Sequence, residues 1–203
     1  MKTLTLILLT MFFGAVFTTA DKTGYQVGDY AMDFKLKNVD GEMVSLSDYS
    51  EAKGFILAFT CNTCPYAVLY EQRIIDLHES FASKGFPVIA INPNDPIKQP
   101  GDSFEEMKTR ATDKNYPFPY LVDDTQEITR SYGATNTPHM YVLKNVNDKY
   151  QVMYIGAIDN NPKEPENVTK TYIVDAINAV LNKKDVPVKA TKAIGCTIKW
   201  KSA

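Results

Sequence analysis

Gly54-Phe55-Ile56-Leu57-Ala58-Phe59-Thr60-Cys61-Asn62-Thr63-Cys64-Pro65 is the stretch on which the fold turns. From Gly54 to Thr60 the chain is a continuous apolar run, the pattern of a strand buried on both faces. Two cysteines follow at once. Pro65 then stands just inside a helix start, where its missing N–H costs nothing, because the first turn leaves that donor unpaired anyway. Downstream, Ala67, Ile74 and Phe81 recur every seven residues, with Val68 and Ile75 beside them, which predicts one apolar stripe along the helix. Gly85 ends that helix, and Phe86 to Ile91 reads as a second buried strand.

The same reading extends in both directions. Upstream, Phe34–Lys37 and Met43–Leu46 flank the turn Asp40-Gly41, a hairpin signal, and Ser47-Asp48-Tyr49 opens a short helix. Downstream come a loop rich in Asn, Pro and Asp from Asn92 to Gly101, then a polar helix from about Ser103 to Asp113. A short strand at Tyr120–Val122 and a helix from Thr125 to Tyr132, closed by Gly133, follow. Met140–Lys144 and Tyr150–Ile155 form a hairpin across residues 145–148. A last helix from Val168 to Leu181 buries Ile173, Ile177 and Val180 or Leu181. Strands alternating with helices and a closing hairpin predict an α/β domain with a mixed central sheet over residues 21–182. The tail, residues 183–203, carries Cys196 and shows no periodicity.

A chain of 203 residues with 44% apolar residues and a net charge of −2 suits one globular domain. So little charge excludes binding to nucleic acid or to an anionic membrane surface, both of which need a concentrated basic face. The first twenty residues differ from the rest. Lys2 precedes an apolar run from Thr3 to Phe17, and small residues at Thr18-Thr19-Ala20 offer a cleavage site. That layout predicts a signal peptide over residues 1–20, and hence a periplasmic or secreted protein. The run is short for a membrane span, so no stable insertion is expected after cleavage; an uncleaved N-terminal anchor is the alternative.

Cys61, Cys64 and Cys196 are an odd number of thiols in a chain large enough to fold without staples, so reactivity explains them better than crosslinking. A sulfur at the first turn of a helix faces unpaired N–H groups and the positive end of the dipole, which favour the thiolate nucleophile. The cycle this predicts starts with Cys61, the more exposed sulfur, attacking a partner disulfide, after which Cys64 resolves the mixed disulfide. A lone Cys-x-x-Cys also fits half of a zinc site or a static disulfide. Neither a second cysteine pair nor a helical histidine pair completes a zinc site in the sequence.

Asn136-Thr137-Pro138-His139 stands directly before a predicted strand. Together with Val27-Gly28-Asp29 to Phe34, the Phe59-Thr60-Cys61-x-x-Cys64-Pro65 turn, the run from Tyr132-Gly133 and the closing hairpin, it resembles the thioredoxin superfamily. Within that superfamily the chain is similar to the redoxin and peroxiredoxin-like (AhpC/TSA-type) branch, over roughly residues 25–182. The tail Gly195-Cys196-Thr197-Ile198-Lys199-Trp200 is also similar to tails of that group. The resemblance implies a thioredoxin fold with an N-terminal β-hairpin extension, a cis Pro138 beside the dithiol, and a Thr137 backbone that bonds an incoming extended peptide. It makes Cys61 the nucleophile, Cys64 the resolving thiol, and Thr60, Thr137 and Pro138 the substrate contacts.

Three positions depart from the pattern. Thr60 replaces the tryptophan that precedes the first cysteine in thioredoxin, and Phe55 replaces its buried acid. Asp33, Lys53 and Asp159 are then the candidate proton carriers. Thirdly, true peroxiredoxins carry a threonine three residues before the peroxidatic cysteine; if Cys64 takes that position, Cys61 has replaced the threonine.

The implied function is an exported thiol–disulfide oxidoreductase that uses protein or small-molecule disulfides and thiols, draws on an upstream thiol reductant, and needs no cofactor or metal. One alternative is a peroxiredoxin-like antioxidant that reduces peroxides. Another is a Cu(I)-binding chaperone using Cys61, Cys64 and His139. Cys196 reads either as an idle buried thiol or as a third redox cysteine. His78 reads as an inert helix-surface residue.

Overall fold

The computed structural model describes residues 24–202, so the signal segment expected over residues 1–20 lies outside the described residues. Three short strands come first, β1 (Tyr30–Ala31), β2 (Leu36–Asn38) and β3 (Met43–Val44), followed by a 3-10 turn at Leu46–Asp48. β4 (Gly54–Phe59) leads through the dithiol loop into α1 (Pro65–Phe81). The middle of the chain holds β5 (Val88–Asn92), α2 (Phe104–Asp113), β6 (Tyr120–Val122) and α3 (Glu127–Tyr132). Then come β7 (Asn136–Thr137), the long hairpin of β8 (His139–Val146) and β9 (Lys149–Gly156), α4 (Tyr172–Leu181) and β10 (Cys196–Thr197).

Eight strands form one mixed sheet in the order β1-β9-β8-β4-β5-β6-β2-β3. β4, β5 and β6 run parallel, while β8 pairs with β4 and β9 antiparallel. The predicted N-terminal hairpin is β2–β3, joined to the sheet through β6. β4 lies at the centre because its sequence has no polar face to give to water. All six of its residues are buried. Ile56 and Ala58 pack into one core with Ile74, Phe81 and Ile177, and Phe55, Leu57 and Phe59 into another with Tyr132, Tyr141 and Ile198. A fully buried side chain of this size contributes about 1.5–3 kcal/mol.

Several boundaries differ from the sequence pattern, each for a local reason. In α1 the row Ala67, Ile74 and Phe81 is buried as predicted, but Val68 is 44% exposed. Its row lies about 100° round the helix, at the margin of the stripe. α4 starts at Tyr172 rather than Val168, because Asn160 Oδ1 accepts the N–H groups of Thr169 and Lys170 and holds them out of the helix. β8 and β9 run longer than predicted, because only Asn147 and Asp148 make the turn, both with positive φ. Such a two-residue turn matches the twist of the strands it joins.

The tail is ordered rather than irregular. Ala190 bridges to Ile155, β10 pairs antiparallel with β7, and Val186, Ala193 and Ile198 are buried. Among the described residues no helix is long and apolar enough to cross a membrane.

Leu57→Ala, at the centre of β4, is expected to cost about 2–5 kcal/mol through lost burial and the cavity it leaves. Urea unfolding followed by far-ultraviolet circular dichroism checks this, with the m-value unchanged.

Candidate redox site

β4 delivers the chain to the tip of α1, and three sulfurs meet there. Cys64 is the N-cap of α1 with extended backbone (φ −64°, ψ 124°), and Pro65 opens the first turn. The N–H groups around that turn are shared out. Each favours the thiolate of a nearby sulfur, Cys64 N–H that of Cys61, Ala67 N–H that of Cys64 and Tyr66 N–H that of Cys196. Cys196 N–H also donates to Cys64 Sγ at 3.3 Å. All three cysteines are free thiols.

The two sulfurs of the dithiol are not equivalent. The Cys61 thiol donates to Cys64, and this bond, with further donors from Cys196 and the backbone, brings Cys64 down to about 5 against the opposing effect of burial. Cys61 is pushed far up because its proton is held by Cys64, because it is buried, and because the Asp102 charge lies near it. The sequence pattern predicted Cys61 as the exposed, ionised sulfur. Instead both residues are buried, at 6% and 4% exposure, and the Cys64 thiol is the one whose pKa is lowered while that of Cys61 is raised. Of the three, only Cys196 is partly open to solvent.

The Thr137–Pro138 peptide is cis, as the resemblance implies. Thr137 Oγ1 lies 3.2 Å from Cys61 Sγ, and the Thr137 carbonyl accepts from the Cys64 thiol, when protonated, at 3.0 Å. The strand edge beside them is not open. Cys196 and Thr197 pair with Thr137 and Asn136, so the chain's own tail lies where an incoming peptide was expected. Thr60 is buried as well, its N–H bonded to Ile91 O, and it lines a small cavity behind Cys61 rather than an outer surface.

The AhpC/TSA family model matches residues 27–180. The chain belongs to the AhpC/TSA family. An uncharacterized conserved protein from Geobacillus kaustophilus is 37% identical in sequence with a TM-score of 0.80, covering 88% of this chain and 94% of that one. The thiol-disulfide oxidoreductase ResA of Halalkalibacterium halodurans is 27% identical over 120 residues, which is 59% of this chain but only 63% of that relative's length. A putative thioredoxin from Neisseria meningitidis, 20% identical with a TM-score of 0.57 over 76% of this chain and 91% of that one, shares the fold. The architecture is the thioredoxin fold.

In this AhpC/TSA chain the acids around the dithiol are not the ones the sequence suggested. Asp33 accepts the N–H groups of Leu46 and Ser47, the backbone of Lys53 pairs with Gly85 and Asn145, and Asp159 holds Arg73 and Tyr70. Asp102 takes the place they leave. Its buried carboxylate accepts from Asn62 N–H at 2.8 Å, Thr63 N–H at 3.0 Å, Thr63 Oγ1 and Asn94 Nδ2. Tyr120 holds the Asn62 side chain from the other side, at 2.9 Å. Glu71, bound to Arg110 and Tyr116, lines the cavity behind Cys61. No local sequence signal marks Asp102 as part of the site, because Asn62 and Thr63 lie some forty residues earlier and only the fold brings them to it.

His139 follows the cis proline, but its Nδ1 accepts from Thr135 N–H and its ring packs on Tyr141. Among the described residues no three His, Cys, Asp or Glu side chains gather as a metal-binding group, so His139 does not join Cys61 and Cys64 as a copper ligand set would require. His78 is half-buried rather than on the open helix surface: its Nδ1 accepts Val88 N–H and its ring packs against Phe118.

Two titrations test these environments. In the reduced protein, ultraviolet thiolate absorbance is expected to show an ionisation near pH 5 that moves upward in Cys61→Ala, which removes the main donor to Cys64. Burial lowers His139 from 6.5 to about 4. Its neutral form is therefore fully accommodated above pH 6.5, and stability falls as the pH drops from 6.5 to about 4, where the folded state takes up the proton too. The loss is about 3 kcal/mol. Unfolding curves across that range check it, and His139→Gln is expected to make the slope shallower by the share this ring contributes.

Proposed function

We propose that this chain is an exported thiol–disulfide oxidoreductase whose Cys61–Cys64 pair cycles between dithiol and disulfide. The observation that carries the reading is the packing of Cys61 against Cys64 at the tip of α1, with Thr137 of the cis Thr137–Pro138 step touching both sulfurs. The name of the Halalkalibacterium halodurans relative supports the reading, and the apolar segment with its small-residue cleavage site supports export to the periplasm or beyond.

The chemistry follows from the charge. A thiolate attacks one sulfur of a partner disulfide and forms a mixed disulfide, and the other partner sulfur leaves as a thiolate. The remaining thiol of the pair loses its proton, attacks its neighbour, closes the Cys61–Cys64 bond and releases the second partner sulfur. Two electrons pass to the partner, and two upstream thiols return them as they are oxidised to a disulfide. Cys64 starts this sequence because it is the sulfur already ionised, which reverses the roles the family resemblance implied. The hydrogen bond toward Cys64 and burial keep Cys61 protonated until its turn comes, and the neighbouring Asp102 charge adds to both. The Thr137 hydroxyl lies beside Cys61, and its carbonyl accepts from Cys64 when that thiol is protonated.

Peroxide reduction fits less well. The hydroxyl that positions peroxide three residues before a peroxidatic cysteine is replaced here by the Cys61 thiol.

The test is reduction of a model protein disulfide by dithiothreitol, alongside consumption of hydrogen peroxide. The wild-type chain is expected to accelerate the disulfide reaction and to yield a Cys61–Cys64 disulfide on mass mapping. Cys61→Ser and Cys64→Ser are each expected to return the rate to background. Faster turnover on peroxide than on the disulfide, or full activity in either serine variant, would overturn the reading.

A further inference from the structure

We propose that the tail is an internal client of the dithiol and that Cys196 is a third redox cysteine, receiving the disulfide from Cys61–Cys64 by exchange at Cys64. The inference rests on the proposed dithiol chemistry and goes beyond it by naming the sulfur through which the buried pair meets the outside.

The tail sits as a bound peptide would. β10 is antiparallel to β7, Cys196 is in register with Thr137, Ile198 N–H donates to Thr135 O, and Asn136 Nδ2 donates to Gly195 O. Gly195 lies so close to the cis peptide that a Cβ there would fall 2.2 Å from Thr137 O and 2.9 Å from Pro138 N. Only a residue without a side chain lets the strand approach this near. Further along, Asp95 N–H and Gln126 Nε2 both donate to Lys199 O, Lys199 N–H donates to Asn94 Oδ1, and the Arg130 guanidinium lies over Trp200. A segment held at this many points presents Cys196 in one place.

That place is the sulfur cluster. Cys196 N–H reaches Cys64 Sγ at 3.3 Å, and the sulfur of Cys196 takes the Tyr66 N–H from the same helix turn that serves Cys64. Burial and the Cys64 thiolate beside it push the Cys196 thiol up to about 11 in the reduced protein. Once Cys64 is in a disulfide its charge is gone, and that part of the restraint on Cys196 goes with it.

The exchange balances without any external oxidant. The Cys196 thiol loses its proton and its sulfur attacks Cys64 Sγ of the Cys61–Cys64 disulfide. The Cys64–Cys196 bond forms, the Cys61–Cys64 bond breaks, and Cys61 leaves with the electron pair and takes up a proton. The chain's oxidation level does not change. The disulfide has moved from two buried sulfurs to one that includes the partly exposed Cys196, which an outside thiol can attack.

The test uses Cys61→Ser, which leaves Cys64 and Cys196, oxidised with one equivalent of diamide and digested with trypsin. The expected product is the peptide Gly54–Arg73 linked to Ala193–Lys199. Intermolecular dimers, or two unlinked peptides, would overturn the proposal. Independently, Cys196→Ser is expected to form the Cys61–Cys64 disulfide normally but to be re-reduced by glutathione at least about tenfold more slowly than wild type, having lost its accessible point of attack. Re-reduction at the wild-type rate would overturn it as well. A wild-type chain that forms no Cys61–Cys64 disulfide would instead remove the dithiol reading beneath it.

Discussion

The site depends on the backbone N–H groups at one helix tip having no partner within the helix. β4 is buried on both faces and ends where α1 begins, so it fixes that tip against the centre of the sheet. N–H groups of this turn favour the thiolate form of the sulfurs beside it. The negative charge nearby, Asp102, works in the other direction. It ties the loop residues Asn62 and Thr63 in place while holding the Cys61 proton on. Geometry and electrostatics thus divide one chemical motif into a thiolate and a thiol.

The cis Thr137–Pro138 step is the second fixed point. In one short segment, Thr137 presents a hydroxyl to Cys61, a carbonyl to Cys64 and a strand edge to the tail. The thioredoxin fold leaves such an edge beside its dithiol, and here the chain covers it with itself. An unpaired strand edge invites association with other chains. Covering it with β10 removes that hazard and also decides which sulfur stands nearest to solvent. The close approach requires a glycine directly before the cysteine, and Gly195 supplies it.

Much of the fold was legible in local pattern because its physics is local. The apolar run of β4, the proline at the start of α1, Gly85 and Gly133 as helix ends, and the Asp40-Gly41 turn each act within a few residues of themselves. Where local pattern misled, a distant partner had overruled it. Asn160 holds Thr169 and Lys170 out of α4, and the tail, with no periodicity of its own, is ordered entirely by what it lies on.

By itself the sequence determined that two sulfurs would stand at a strand-to-helix junction, because burial of β4 and the helix-start chemistry of Pro65 are properties of adjacent residues. Only the tertiary structure decided which sulfur carries the charge, which acid faces it and where Cys196 lies. Those depend on Asp102, Thr137 and Gly195 arriving from remote parts of the chain. A hydrogen bond between residues 132 positions apart, such as that from Cys196 to Cys64, leaves no trace in spacing or composition, since the packing of the whole domain creates it.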